Sequence, residues 1–349
     1  MKPLRRRASG AALALAACLG GALPAWAATP LPVYAPSGGF ADPSVVSDNG
    51  QFYGMSTGSL VPSAQGDFAS GPWVAEGPAL TVKPSWATGS SMWAPDIERI
   101  SATEWVLYFA APVAGLDSGQ RCIGAATAST PLGPFTPIGG GPLVCPGLAA
   151  TPTADDTVPN RPISTAGVID PSGFKDSDGV RYLLYKTQQL PSSLRIVQLN
   201  AAGTHVFSGA TSRQLSRSDR IVENPVMVKR GGAYVLFASR GPYNQCSYET
   251  IWMRASSLAS NAFNTVTQNT LLTPASTSGV CGPGGGDIAA ALDGGQRIFF
   301  HGWLCGSTPC PTGFDSQTDT GGRRGMYVGV LGWSSTNDPV VNLFLNPGD

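Results

Sequence analysis

One motif recurs five times along this chain and limits its architecture more than any other feature. Its clearest copy is VIDPSGFKDSDGVRYLLYKT, residues 168–187. An acid and a proline come first, then a turn, then a short aromatic-rich strand. The other copies are FADPSVVSDNGQFYGMST (40–57), WAPDIERISATEWVLYFAA (93–111), VENPVMVKRGGAYVLFASR (222–240) and GGDIAAALDGGQRIFFHGW (285–303). A quasi-period of roughly 50 to 75 residues with a hairpin signal in each unit is the signature of a β-propeller. A single short strand cannot bury two faces. Four-stranded sheets packed around an axis can, and ring closure protects their edges. The expected fold class is therefore all-β, a five-bladed β-propeller. A β-sandwich is the rival architecture, because the repeat is too long for β-helix coils.

The rest of the sequence agrees. Forty-four glycines and thirty prolines occur without a Gly-X-Y period and beside ample apolar residues, which points to many tight turns and not to disorder. Strands are expected at residues 104–110, 180–185, 194–199, 226–229, 233–239, 251–255, 288–292 and 297–301, with 326–331 as the last clear one. Asp178-Gly179 and Gly231-Gly232 supply hairpin turns. Gly71-Pro72-Trp73 in the first unit is echoed by Gly133-Pro134-Phe135 in the second. That echo predicts two similar turns, each ending in a packed ring. No amphipathic helix of useful length is visible.

Residues 1–27 have a basic head, an apolar run and an Ala-Trp-Ala end, and read as a secretory signal peptide. The expected single domain is 28–349, secreted or periplasmic. A lipoprotein anchored through Cys18 is the alternative. Without residues 1–27 the chain carries 18 basic and 22 acidic residues, a net charge of −4. No basic patch stands out, so nucleic acid is not an expected partner, and no later stretch is apolar enough for a transmembrane segment. A monomer is expected. Six cysteines remain after cleavage, an even number that suits disulfides in an exported chain. Fifteen pairings are possible. Cys122 with Cys145 is the first choice, because both flank one hairpin system. Cys305 with Cys310 would close a small loop and leave Cys246 with Cys281. A zinc site is the alternative, but the spacing matches no zinc pattern.

Acids stand at or near the head of every unit: Asp42, Asp96, Asp170, Glu223 and Asp287. In a propeller the inner strands line one axis, so these positions meet however distant they are in sequence. Asp42, Asp170 and Glu223 share a tighter form, with proline directly after the acid or one residue later. Converging carboxylates suit glycosidic bond hydrolysis, which needs a proton donor for the leaving oxygen and a base or nucleophile. Clustered oxygens also suit calcium, and a lone acid at such a place merely caps a turn.

These segments resemble glycoside hydrolase family 43, the five-bladed propeller arabinosidases, arabinanases and β-xylosidases. The resemblance runs from about residue 40 to 333. Ala41-Asp42-Pro43 matches the family's general-base segment, Ile169-Asp170-Pro171 its third acid, and Glu223 its general acid; Trp93-Ala94-Pro95-Asp96 matches a recurrent segment of the second blade. The chain has Asn224 where family members often have a small residue. The resemblance implies an inverting mechanism, with base and acid roughly 6.5 to 9.5 Å apart. Asp170 would tune the acid by like-charge repulsion.

The substrate-binding candidates are Phe40 as an apolar wall, Trp93 as a stacking platform, Asp96 and Arg240; Arg323 and Arg324 approach the rim on one reading. The resemblance requires no cofactor. It implies a possible structural calcium near the axis, with His301 as metal candidate, although the family's histidine is absent from the segment 282–285. The implied activity is that of an α-L-arabinofuranosidase or endo-arabinanase on arabinose- or xylose-containing polysaccharide. The alternatives are a β-xylosidase of the same family and a non-catalytic carbohydrate-binding propeller, which would be expected to lack one of the three acids.

Overall fold

The structure is a computed structural model and describes residues 28–146, 166–188 and 190–349. The expected signal peptide, Cys18 and most of the polar loop at 148–167 lie outside the described residues. Five antiparallel sheets follow one another along the chain. Blade one is Ser44–Asp48, Gln51–Met55, Pro62–Gly66 and Trp73–Pro78. Blade two is Ser91–Ser101, Glu104–Pro112, Arg121–Ala128 and Thr136–Pro137, with Gly58–Ser59 from the first unit added beside its inner strand. Blade three is Val168–Lys175, Arg181–Thr187, Ser192–Gln198 and Arg213–Ser218. Blade four is Val222–Arg230, Ala233–Arg240, Glu249–Ala255 and Asn269–Leu272. Blade five is Cys281–Ala290, Gln296–Cys305, Gly322–Trp333 and Pro339–Leu345. Each inner strand packs on the next, and that of blade five packs on that of blade one, closing the five-bladed propeller. Among the described residues no helix is long and apolar enough to cross a membrane.

Local chemistry accounts for the hairpins. Asp48 pairs with Gln51 across Asn49 and Gly50, whose φ angles are 48° and 83°. Arg230 pairs with Ala233 across Gly231 and Gly232, at 56° and 78°. Two positive φ values in a two-residue loop match the right-handed twist of the flanking strands, and Asn and Gly adopt them with least strain.

The core is a set of seams between blades. Met55, Leu80, Trp86, Leu107 and Phe109 fill the seam of blades one and two. Val106, Tyr108, Leu183 and Tyr185 fill the next, and Phe174, Leu184, Leu236 and Met253 the one after. Phe40 belongs to the seam between blades five and one, with Phe52, Trp73 and Phe299. Burying each large apolar side chain contributes about 1.5–3 kcal/mol. Phe40 is 1 % exposed, so it is a core residue and not a wall of the ligand pocket. Its ring faces the seam because the chain ahead of blade one lies along blade five: Phe40 N–H donates to Arg324 O (2.7 Å) and Met326 N–H to Tyr34 O (2.8 Å).

The three expected disulfides are formed, Cys122–Cys145, Cys246–Cys281 and Cys305–Cys310; their cysteines are therefore not zinc ligands. Trp73 and Phe135 are both buried, as their shared turns predict, and both turns contain a cis proline. Residues 326–331 are not the last strand: Pro339–Leu345 forms the outer edge of blade five. Its side chains are mostly half-buried or exposed, so it carries little of the apolar alternation that marks the inner strands.

Along the axis the inner strands line a cavity of about 540 Å³, whose walls include Asp96, Glu98, Ser172, Lys229 and Asp287. Asp96 and Asp287 each accept a hydrogen bond from Ser44 Oγ, at 3.3 and 3.1 Å. Burial, then the charges of Asp287 and Glu98, push Asp96 well above the usual carboxylate range. Burial also raises Asp287, and it raises Glu98 to about 7 against the opposing Arg181 charge. Groups raised in the folded state stabilise it at low pH, and that contribution is lost as pH rises from the unfolded value near 4 through the raised folded value, about 7 for Glu98. Asp96→Asn is therefore expected to gain stability relative to the parent protein at pH 8 and to gain less at pH 4. Urea unfolding at both pH values checks this; an equal difference at both would contradict it.

Candidate active site

All five inner strands begin with the same backbone device. Asp42, Ala94, Asp170, Asn224 and Gly285 have φ of 49°, 40°, 55°, 54° and 56°. In the first four units proline follows directly. In blades two to five the pairing register slips across this point. Proline gives no N–H to the ladder, and a bulge re-aims side chains at a sheet edge. Asp and Asn tolerate the left-handed region better than most residues. The kink presents the side chains at these positions, or one residue earlier, to the mouth of the axis.

The offsets of the acids decide who meets whom. Asp42 and Asp170 occupy the kinked position itself, and Glu223 stands one residue ahead of it. All three line one cavity of about 200 Å³, with Thr57, Trp93, Tyr243, Tyr248 and Arg324 among its other walls. Asp96 and Asp287 lie two residues beyond the kink and line the axial cavity instead. Asp96 is therefore not placed to bind a ligand beside the other three. Arg240 is also elsewhere. It faces Glu249, its cross-strand neighbour, with Nε and Nη2 donating to Oε1 at 2.8 and 2.5 Å. Opposite charges directly across a ladder pair with each other, so this guanidinium is taken.

Each acid in the cavity has a different environment. Asp42 Oδ1 accepts from Arg324 Nη1 at 3.0 Å, and Oδ2 accepts from Thr57 Oγ1 at 2.6 Å. Burial pushes Asp42 up, but the Arg324 charge and the Thr57 hydrogen bond outweigh it and hold Asp42 well below the usual carboxylate range. Asp170 Oδ2 accepts the Asn224 N–H, at 3.0 Å. Burial first, then the Glu223 charge, raise Asp170 to about 7 despite the opposing Lys186 charge. Glu223 Oε2 accepts from Lys186 Nζ at 2.8 Å and Oε1 from Tyr248 OH at 3.0 Å. The cavity thus holds an ionised carboxylate opposite a carboxylate pair that keeps a proton near neutrality. That is the division of labour acid–base hydrolysis needs.

Trp93 lines the cavity, and the Arg121 guanidinium lies 3.5 Å from its ring centroid. Burial lowers Arg121 to about 10. Thr57, Lys186, Tyr243 and Tyr248 were not singled out from the sequence, because they come from second strands and loops and not from strand heads. Lys186 left one signal: a lysine directly after the apolar and aromatic run Tyr182-Leu183-Leu184-Tyr185.

His301 is fully buried, stacks on Tyr248 at 5.7 Å, and accepts the Asp42 N–H at Nδ1 (3.2 Å). Gly285 makes room for it: a Cβ there would lie 2.3 Å from His301 Cε1 and 2.8 Å from Asp42 Oδ1. His301 Nε2 has no hydrogen-bond partner among the described residues, the one observation that speaks for a bound ion. Calcium takes six to eight oxygen ligands. Among the described residues no three His, Cys, Asp or Glu side chains converge on a metal position. Any other calcium ligands beside His301 would have to be carbonyl oxygens and waters.

A sequence model of glycosyl hydrolases family 43 matches residues 32–313. A "probable arabinan endo-1,5-alpha-L-arabinosidase B" from Aspergillus fumigatus is 30 % identical over 148 residues, which are 41 % of this chain and 37 % of that protein. The match thus spans well under half of that relative's length. Among solved structures, an endo-1,4-beta-xylanase from Bacteroides thetaiotaomicron superposes with a TM-score of 0.65 at 20 % identity, covering 90 % of this chain and 98 % of that one. An alpha-L-arabinanase from Cellvibrio cellulosa gives 0.66 at 18 %, covering 87 % and 95 %. At these identities the structural likeness carries the fold.

Proposed function

The chain belongs to glycosyl hydrolases family 43, and from that premise we propose that it cleaves pentosyl linkages in arabinose- or xylose-containing polysaccharide, as an inverting α-L-arabinofuranosidase or endo-arabinanase. The observation that carries the reading is the split in charge state within one cavity. Asp42 is held ionised by Arg324, while Asp170 beside Glu223 binds a proton up to about 7. Asp42 takes a proton from water, whose oxygen attacks the anomeric carbon. Glu223 gives its proton to the departing sugar oxygen as the C–O bond breaks. Asp170 and Glu223 repel each other when both are ionised, so the pair retains one proton, which Glu223 delivers. Trp93 and the half-exposed Tyr243 offer apolar faces to the sugar. The three disulfides support export to an oxidising compartment.

Incubation with arabinan, arabinoxylan and aryl pentosides tests the substrate class. Arabinose or arabino-oligosaccharide release is expected; xylose alone would move the assignment to a β-xylosidase, and no sugar release would sink it. Proton NMR of the first-formed product should show inverted anomeric configuration. A retained configuration would remove the water-activating role of Asp42.

A further inference from the structure

Three carboxylates share the catalytic cavity, but among the described residues only two are ion-paired with a basic side chain other than histidine. Asp42 has Arg324 at 3.0 Å and Glu223 has Lys186 at 2.8 Å. Asp170 has neither. Lys186 does not line the cavity. It stands behind Glu223 in the second strand of blade three and is 6 % exposed. A lysine so buried is there because it is paired; burial alone would push its ammonium down, but the charges of Glu223 and Asp170 raise it. It therefore stays a cation beside two carboxylates where a proton donor is needed.

We propose that Lys186 is a positioning residue for the reaction: its ammonium anchors Glu223 and, by opposing protonation of the Asp170–Glu223 pair, sets the pH above which the enzyme loses its acid. This rests on the function proposed above. Two buried carboxylates that interact titrate as a pair. Their mutual repulsion holds a proton in the pair, and the Lys186 charge works against it. The balance leaves Asp170 at about 7, near the pH at which a general acid works best. The other groups facing the pair are Tyr248 OH from blade four, Asp42 from blade one, and Arg324 and His301 from blade five. Asp42 is already held ionised by Arg324, and burial keeps the Tyr248 phenol protonated. Burial and the Arg324 charge lower His301. Lys186 is thus the cation paired directly with the pair.

The test is the pH dependence of kcat/KM on an aryl pentoside for the parent protein, Lys186→Met and Lys186→Arg. The basic limb of Lys186→Met should move up by about one pH unit or more, since one charge is gone, while the acidic limb, set by Asp42, stays in place. Lys186→Arg should keep both limbs near their parent positions. If Lys186→Met does not fold, Lys186→Gln replaces it, with the same shift expected. A folded neutral variant that is weaker at every pH, with both limbs unmoved, would overturn the role of Lys186 and leave the hydrolase reading standing. A parent protein inactive on every pentoside would overturn both.

Discussion

Asp42→Asn is expected to reduce kcat/KM on arabinan and on aryl pentosides alike by roughly 10²–10⁴-fold, the usual span for a lost general base. The amide keeps the size of the side chain and an acceptor for Thr57 or Arg324, but it leaves the Arg324 guanidinium without its counter-charge. A loss of stability at neutral pH is therefore expected as well, and unfolding curves on the same samples separate it from the loss of activity. Water then has no group to take its proton. Azide needs no such group. Added azide should restore turnover of an activated aryl pentoside and yield a glycosyl azide of inverted configuration. The discriminating measurement is the ratio of rates with and without azide. A variant within about threefold of the parent protein without azide would show that Asp42 is not the base.

Glu223→Gln should fail in a different pattern. Loss of the proton donor matters in proportion to how badly the leaving group needs a proton. Cleavage of polysaccharide should fall by roughly 10²–10⁴-fold, while a dinitrophenyl pentoside, whose phenolate leaves without help, should lose far less. The variant keeps an acceptor for Tyr248 but faces Lys186 without a compensating charge, so a modest loss of stability is expected as well. Equal losses on both substrates would mean that Glu223 does not donate the proton. Unfolding curves on the same samples separate that outcome from misfolding.

The five units, the blade count and the three disulfides were legible in the sequence because each is written in local chemistry: Asn-Gly and Gly-Gly turns, short apolar strands and cysteines flanking a hairpin. Asp42, Asp170 and Glu223 were legible because their prolines mark the kink. What sequence could not show was the phase of each side chain after that kink. Asp96 and Asp287 are as close to their unit heads as the other acids, yet two residues carry them into the axial cavity. Phe40 and Arg240 flank acid-bearing segments, but one faces a seam and the other a cross-strand glutamate. Lys186, Tyr248 and Thr57 touch the acids from second strands and loops, and no spacing rule ties them to the motif.

The recurrent kink separates what is presented from what presents it. Ring packing holds each strand head in place, proline helps in the first four, and in those four the residue at or just before the head lines the cavity. Change at four small addresses can therefore diversify specificity while the framework beneath stays intact. Ala94 is the address where this chain presents a small side chain to the cavity and where new selectivity could be written; Gly285 is closed to such change, because His301 and Asp42 fill the space a side chain would need.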